Sequence, residues 1–278
     1  MLRALAAASF LFAASGIFAQ PAATPRPQFE VASIKLNKSG GGFSLARPSP
    51  GGRFTLTNIP LQFVLMIAYR VKEFQLSGAP AWLNQERYDI EAKADGNPSL
   101  DAMLPMLQTL LEDRLQLKFH HETKELPIYV LAVAKAGKLH ESEKGECPPM
   151  PNGLPPPPEP GKLPSPPCGG IFRTPGHVAG QKTTMAQLTD LLSNSTGRVV
   201  LDKTGLTGKY DINLDYTPEQ SQLQLLPGGD PDMPFPRPDP NGPSLFTALQ
   251  EQLGLKLESQ KGPVEIMVID HVERPSEN

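Results

Sequence analysis

Cysteine, tryptophan and long apolar runs are the scarce features of this chain. Only two cysteines, Cys147 and Cys168, occur in 278 residues, too few for a disulfide-dense small fold. Neither stands in a C-x-x-C spacing or beside a histidine, so a redox pair or a zinc site has no support. Trp82 is the only tryptophan. Charge of one sign is not in surplus: 26 Lys and Arg face 29 Asp and Glu. That balance offers no basic stripe for nucleic acid and no polybasic tract for an anionic membrane surface. Beyond the first twenty residues no apolar run nears the about 20 residues of a membrane-spanning helix.

Catalytic signatures are missing as well. There is no G-x-S-x-G elbow and no H-E-x-x-H pair. Ser39-Gly40-Gly41-Gly42 is not followed by the Lys-Ser or Lys-Thr of a phosphate loop. Asp230, Asp232, Asp239 and Asn241 lack the D-x-D-x-D-G register of a calcium loop. These absences point to an exported binding protein rather than an enzyme, with no cofactor. A secreted hydrolase whose site is assembled from distant residues is the alternative.

The N-terminus explains the exported part of that expectation. Arg3 precedes an apolar and small-residue run from Ala4 to Phe18, and Ala19, Ala22 and Ala23 offer small residues for cleavage. This is the pattern of a secretory signal peptide over residues 1–19, and it implies a periplasmic or secreted protein. In an oxidising compartment, two cysteines flanking one loop most economically form a disulfide. Closing that loop of about 20 residues would contribute roughly 3 kcal/mol in the chain-entropy model.

Proline is abundant instead, with 32 residues clustered at Pro148–Pro167 and Pro227–Pro243. On either side of the first cluster the chain repeats itself. Arg87-Tyr88-Asp89-Ile90 recurs as Lys209-Tyr210-Asp211-Ile212. Leu107, Leu110, Leu111 and Leu115 form a helical stripe, echoed by Leu245, Leu249 and Leu253. Thr184 with Gln187 makes a capping box before Met185, Gly197 follows that helix, and Ser244 is placed to cap the last one. Pro127 and Pro263 are each expected to open a strand after a turn.

The expected fold is α+β, with two related β-α-β-β-α-β repeats. Each would be a small sheet with two helices on one face. A Pro-rich linker bridged by the Cys147–Cys168 disulfide joins them. The divisions are a signal peptide 1–19, an N-terminal segment with an edge strand 20–52, a first repeat 53–138, the linker 139–175, and a second repeat 176–274 with an insertion 217–243.

Several strings go further. Phe29-Glu30-Val31-Ala32-Ser33-Ile34-Lys35, Gly51-Gly52-Arg53-Phe54, Ala81-Trp82-Leu83, Glu122-Thr123-Lys124-Glu125-Leu126-Pro127 and the run from Asp202 to Asp211 resemble the soil-associated protein family. The resemblance covers nearly the whole chain after residue 19. It implies an exported protein of unestablished function, whose domain also occurs attached to membrane metallopeptidase receptors of the β-lactam-sensing type. That attachment implies a sensory or interaction role, with no catalytic residue carried over. Ser195 to Asp202 and Ala248 to Leu255 are more loosely similar to the secretin and TonB short N-terminal domain, which serves protein–protein contacts.

Two residue groups remain as candidates. On a strand, His120 and Glu122 would share a face and could begin a metal site, but further ligands must come from elsewhere. A polar strand end is the plainer reading. Trp82 is a possible partner contact, or it packs within the first repeat. The expected partner is a protein or peptide in the cell envelope or outside the cell.

Overall fold

The computed structural model describes residues 26–40, 44–45, 51–143, 145–147, 166, 168–174, 176–218 and 239–275. The expected signal peptide, most of the Pro148–Pro167 cluster, and Asp230 and Asp232 of the insertion lie outside the described residues.

The first half builds a four-stranded sheet A in the order β1-β5-β3-β2. Its strands are β1 (Val31–Leu36), β2 (Ser44–Leu45), β3 (Arg53–Pro60) and β5 (Arg87–Lys93). Alternation sends Phe54, Leu56, Ile34, Tyr88 and Ile90 to one face. Against it pack α1 (Leu61–Tyr69), α2 (Trp82–Gln85) and α3 (Leu100–Leu115). Pro60 is the extended N-cap of α1, not a helical residue. Ser99 caps α3 by accepting from the N–H of Ala102. Pro105 therefore sits inside α3. Its missing donor would have served the carbonyl of Asp101, an exposed residue one turn from the helix start, where water can substitute.

The second half builds sheet C, ordered β7-β11-β9-β8. Its strands are β7 (His140–Glu141), β8 (Gly170–Thr174), β9 (His177–Thr183) and β11 (Tyr210–Asp215). α4 (Met185–Thr196) starts at the Thr184–Gln187 capping box and ends at Gly197, whose φ of 64° favours glycine. α5 (Leu245–Ala248) is capped by Ser244 and continues as a π-helical turn, Leu249–Leu253. The Cys147–Cys168 disulfide is formed, with Cα atoms 5.4 Å apart. β7 and β8 flank the Pro-rich stretch and both belong to sheet C, so the two ends of the expected linker are held in one lobe.

Between the lobes runs a third sheet, β10-β6-β12-β4. Here the structure departs from the sequence expectation of a turn before each proline. β6 (Lys118–Val133) is one unbroken strand of 16 residues and β12 (Leu255–His271) one of 17. They pair antiparallel almost end to end, from Leu255 with Val133 to Ile269 with Phe119. Pro127 and Pro263 lie mid-strand, opposite Lys261 and Glu125. At the ends, β4 (Leu76–Ser77) pairs parallel with β12, and β10 (Val200–Asp202) with β6.

The prolines fit because of which way the backbone points. Tyr129 donates to the carbonyl of Val199, so odd-numbered residues of β6 direct their backbone groups outward. The carbonyl of Glu265 accepts from Gln75, so the same holds for β12. Pro127 and Pro263 share this parity, and their missing N–H groups fall on open edges.

Each long strand serves both lobes. Odd-numbered residues at one end, Phe119, Met267 and Ile269, join the core under sheet A. Those at the other end, Tyr129, Leu131, Leu255 and Leu257, join the core under sheet C. β6 leaves α3 and ends in the second lobe, while β12 leaves α5 and ends in the first. Ile128, Val264 and Ile266 form a small cluster on the opposite face. Gly262 lies against this cluster, and an added Cβ would come within 2.5 Å of the Ile128 Cδ1 atom, so that side chain would have to shift.

Candidate interaction surfaces

His120 and Glu122 do share a face of β6, because the strand alternates. The partner that completes their cluster comes from β12. His120 Nδ1 donates to Asp270 at 2.8 Å, and Nε2 lies 3.2 Å from Glu122 Oε1. The carboxylates of Asp270 and then Glu122 raise the histidine above its ordinary pKa. Lys124 holds Glu122 at 2.8 Å and, with His120, lowers that carboxyl. This lysine ammonium competes directly with any cation at Glu122. Among the described residues, no group of three or more His, Cys, Asp or Glu could hold a metal ion. His121 points to the other face, 3.4 Å from Glu265.

Trp82 lies in α2 and packs partly on the first core. Its ring carries the Arg274 guanidinium at 5.1 Å, a cation–π contact. Arg274 also binds Glu86 through two nitrogens, at 3.0 and 2.8 Å, and Tyr88 donates to the same carboxylate at 2.7 Å. Arg274 and then Tyr88 lower Glu86 below the usual carboxylate range. Burial first, then Glu86, pushes the Tyr88 hydroxyl up. The arrangement clasps the segment after β12 to the first lobe. Sequence reading could not find it, because Arg274 is far from Trp82 along the chain.

A second clasp lies before β1. Arg26 binds Glu112 at 3.0 Å and Asp113 at 2.5 Å on α3, and Tyr69 donates to Glu112 at 3.1 Å. In the second lobe His177 Nδ1 donates to Asp215 at 2.6 Å. Across the lobes, Lys72 meets Asp190 at 2.5 Å.

Two open grooves share one construction: an edge strand on one side and a helix on the other. In the second lobe, Ile171 and Arg173 of β8 face Gln187, Asp190, Leu191 and Asn194 of α4 across about 520 Å³. In the first lobe, the segment Gln28–Ala32 faces Met106, Leu110, Asp113 and Arg114 of α3 across about 350 Å³. Both linings mix apolar and polar side chains, the second-lobe groove being the more apolar.

Comparison with known proteins adds the family. The chain belongs to the family described as a protein of unknown function, DUF3738, whose model matches residues 62–272. No curated protein and no solved structure matches the chain.

Proposed function

We propose that this protein is an exported, non-catalytic binding module that contacts a protein or peptide partner, in a sensory or interaction role like that implied by the soil-associated family. The carrying observation is the pair of strand-and-helix grooves, one on each lobe. A groove bounded by a strand edge and a helix suits an extended chain, which can bond to the edge and rest its side chains on the helix. Export is supported by the Arg3 and Ala4–Phe18 pattern. It is also supported by the Cys147–Cys168 disulfide, which suits an oxidising compartment.

Internal duplication belongs to the same reading. The sequence spacing that relates Leu107 to Leu245 also relates Phe119 to Leu257 and Leu131 to Ile269. In the ribbon, Phe119 pairs with Ile269 and Leu131 with Leu257. Each of these pairs therefore maps onto the other, as a pseudo-two-fold axis through the ribbon centre requires. Two similar grooves on one chain suit a partner with two contact segments.

The test is a binding measurement on the oxidised protein against envelope and secreted fractions, repeated with Arg173→Glu and Met106→Glu, one substitution in each groove. A saturable partner weakened by either substitution supports the reading. Stable turnover of an envelope substrate would overturn it. The competing reading, a secreted hydrolase, has the His177–Asp215 pair as its starting point. It requires that turnover disappear in His177→Ala.

A further inference from the structure

We infer that the edge of β1, unpaired by any strand among the described residues, is a strand-addition site for an extended peptide of alternating apolar and acidic residues. The inference rests on the binding-module reading and names the surface and chemistry within it.

Unpaired strand edges differ in how well they accept another strand, and most in this protein are blunted. The open edges of β6 and β12 carry Pro127 and Pro263, with charged residues such as Lys124, Glu125, Lys261 and Glu265 alongside. β2, β4 and β7 have two residues each and β10 has three. β8 is next to the disulfide at Cys168, and its Arg173 is engaged by Ser195 at 2.7 Å. β1 is the longest of the edges free of proline, although Arg114 of α3 donates to its Ala32 carbonyl at 3.5 Å and an incoming strand would replace that contact. It has six residues and no proline, and its register with β5 is unbroken.

Its backbone direction is also defined. Asn37 donates to the carbonyl of Arg87, so odd-numbered residues of β1 bond to β5. The N–H groups of Ala32, Ile34 and Leu36 then point to the open side. A neighbouring peptide backbone would sit about 4.8 Å away and satisfy all three at once.

The two faces of the incoming strand would meet different surroundings. One set of alternate side chains would enter the groove against Met106 and Leu110 of α3. The other set would lie over the outer face of sheet A, beside Val31, the most exposed large apolar residue described at 69%. That face holds Lys35 and Arg53, neither of which has a carboxylate within ion-pair distance among the described residues. The opposing charges on that face are Glu91 and Asp89, the register partner of Lys35, whose carboxylate accepts from Asn37 and the Asn58 N–H; Lys93 adds a third cation, paired with Glu30. Acidic side chains at the outward positions therefore complement Lys35 and Arg53, and apolar ones suit the inward positions.

The test uses the purified, oxidised protein and two ten-residue peptides, one alternating valine and glutamate, the other valine and lysine. Backbone amide exchange is followed with each. The valine–glutamate peptide is expected to bind saturably and to slow exchange at Ala32, Ile34 and Leu36 at least tenfold. The valine–lysine peptide and the Lys35→Glu protein should each lower affinity at least tenfold. Ala32→Pro removes one outward donor, and Lys35→Glu keeps the test independent of any folding defect it causes. Protection along Ile171–Arg173 instead would overturn the β1 assignment and leave the binding-module reading standing. Absence of peptide binding would overturn the β1 assignment. The wider reading would fall with it only if the envelope fractions also yield no saturable partner.

Discussion

The two lobes solve the same packing problem with different fastenings. Among the described residues the first is closed without a disulfide, by side-chain clasps and by backbone bonds such as that from the Glu273 N–H to the Leu115 carbonyl. Its core draws on α1, α2, α3, the strands β1, β3 and β5 and the ends of β6 and β12, and the chain segments before β1 and after β12 are clasped by Arg26 and Arg274. The second is interrupted by two proline-rich excursions, and fastenings stand where the chain departs. The disulfide joins the ends of the first excursion, and Lys182 donates to the carbonyl of Gly145 beside it. Thr217 closes the second by bonding to the carbonyls of Pro243 and Asp239. A lobe that tolerates long insertions is cross-linked at their bases, while an uninterrupted one relies on burial.

The sharpest way to break this comparison is to damage the ribbon both lobes share. Leu131→Ala and Met267→Ala each remove a side chain at 1% exposure or less, from opposite lobes. Each should cost about 2–5 kcal/mol. Because the strands are exchanged, calorimetry should show one cooperative transition for either variant. Two separable transitions, with only one displaced, would show that the lobes are independent.

Reduction of the disulfide comes next, at about 3 kcal/mol for a loop of this length. Amide exchange should accelerate in β8 and β9 and stay unchanged in β1 and β3. Equal acceleration in both lobes would erase the contrast drawn above. Removing the caps tests the helices of each lobe in parallel. Thr184→Ala and Ser99→Ala should each lose about 1 kcal/mol in chemical denaturation, and a null effect at either would show that cap to be dispensable.

The smallest effects belong to surface charge. Lys72 and Asp190 join the lobes, but the Asp190 side chain is 63% exposed. A double-mutant cycle should therefore give less than about 1 kcal/mol. His120 should titrate above the ordinary histidine value in an NMR experiment, and Asp270→Asn should bring it down. Its folded-state pKa is raised, so any stabilisation is present in acid and fades as pH rises through that value. A His120 midpoint unmoved by Asp270→Asn would remove Asp270 as the cause.

The mixed α+β character and the disulfide were legible in the sequence. Both rest on local signals: helical stripes such as Leu107–Leu115, caps at Thr184 and Ser244, and two cysteines around one loop. The ribbon was not legible. Alternation tells a strand which face to bury, but not which distant strand lies beside it. Pro127 and Pro263 looked like strand starts because a proline inside a paired strand usually removes a needed donor. Here both fall on open edges, which only the tertiary pairing reveals. Asp270 beside His120 and Arg274 over Trp82 were hidden for the same reason, since each partner arrives with the last strand.

Strand exchange also sets an order of events during synthesis. The ribosome delivers the first lobe's helices and sheet long before Met267 and Ile269, which complete the core beneath them. The earliest part of the chain to emerge is thus the last to close. Until the final strand arrives, Phe119 has no Ile269 opposite it, and the first core lacks the buried Met267 and Ile269 side chains.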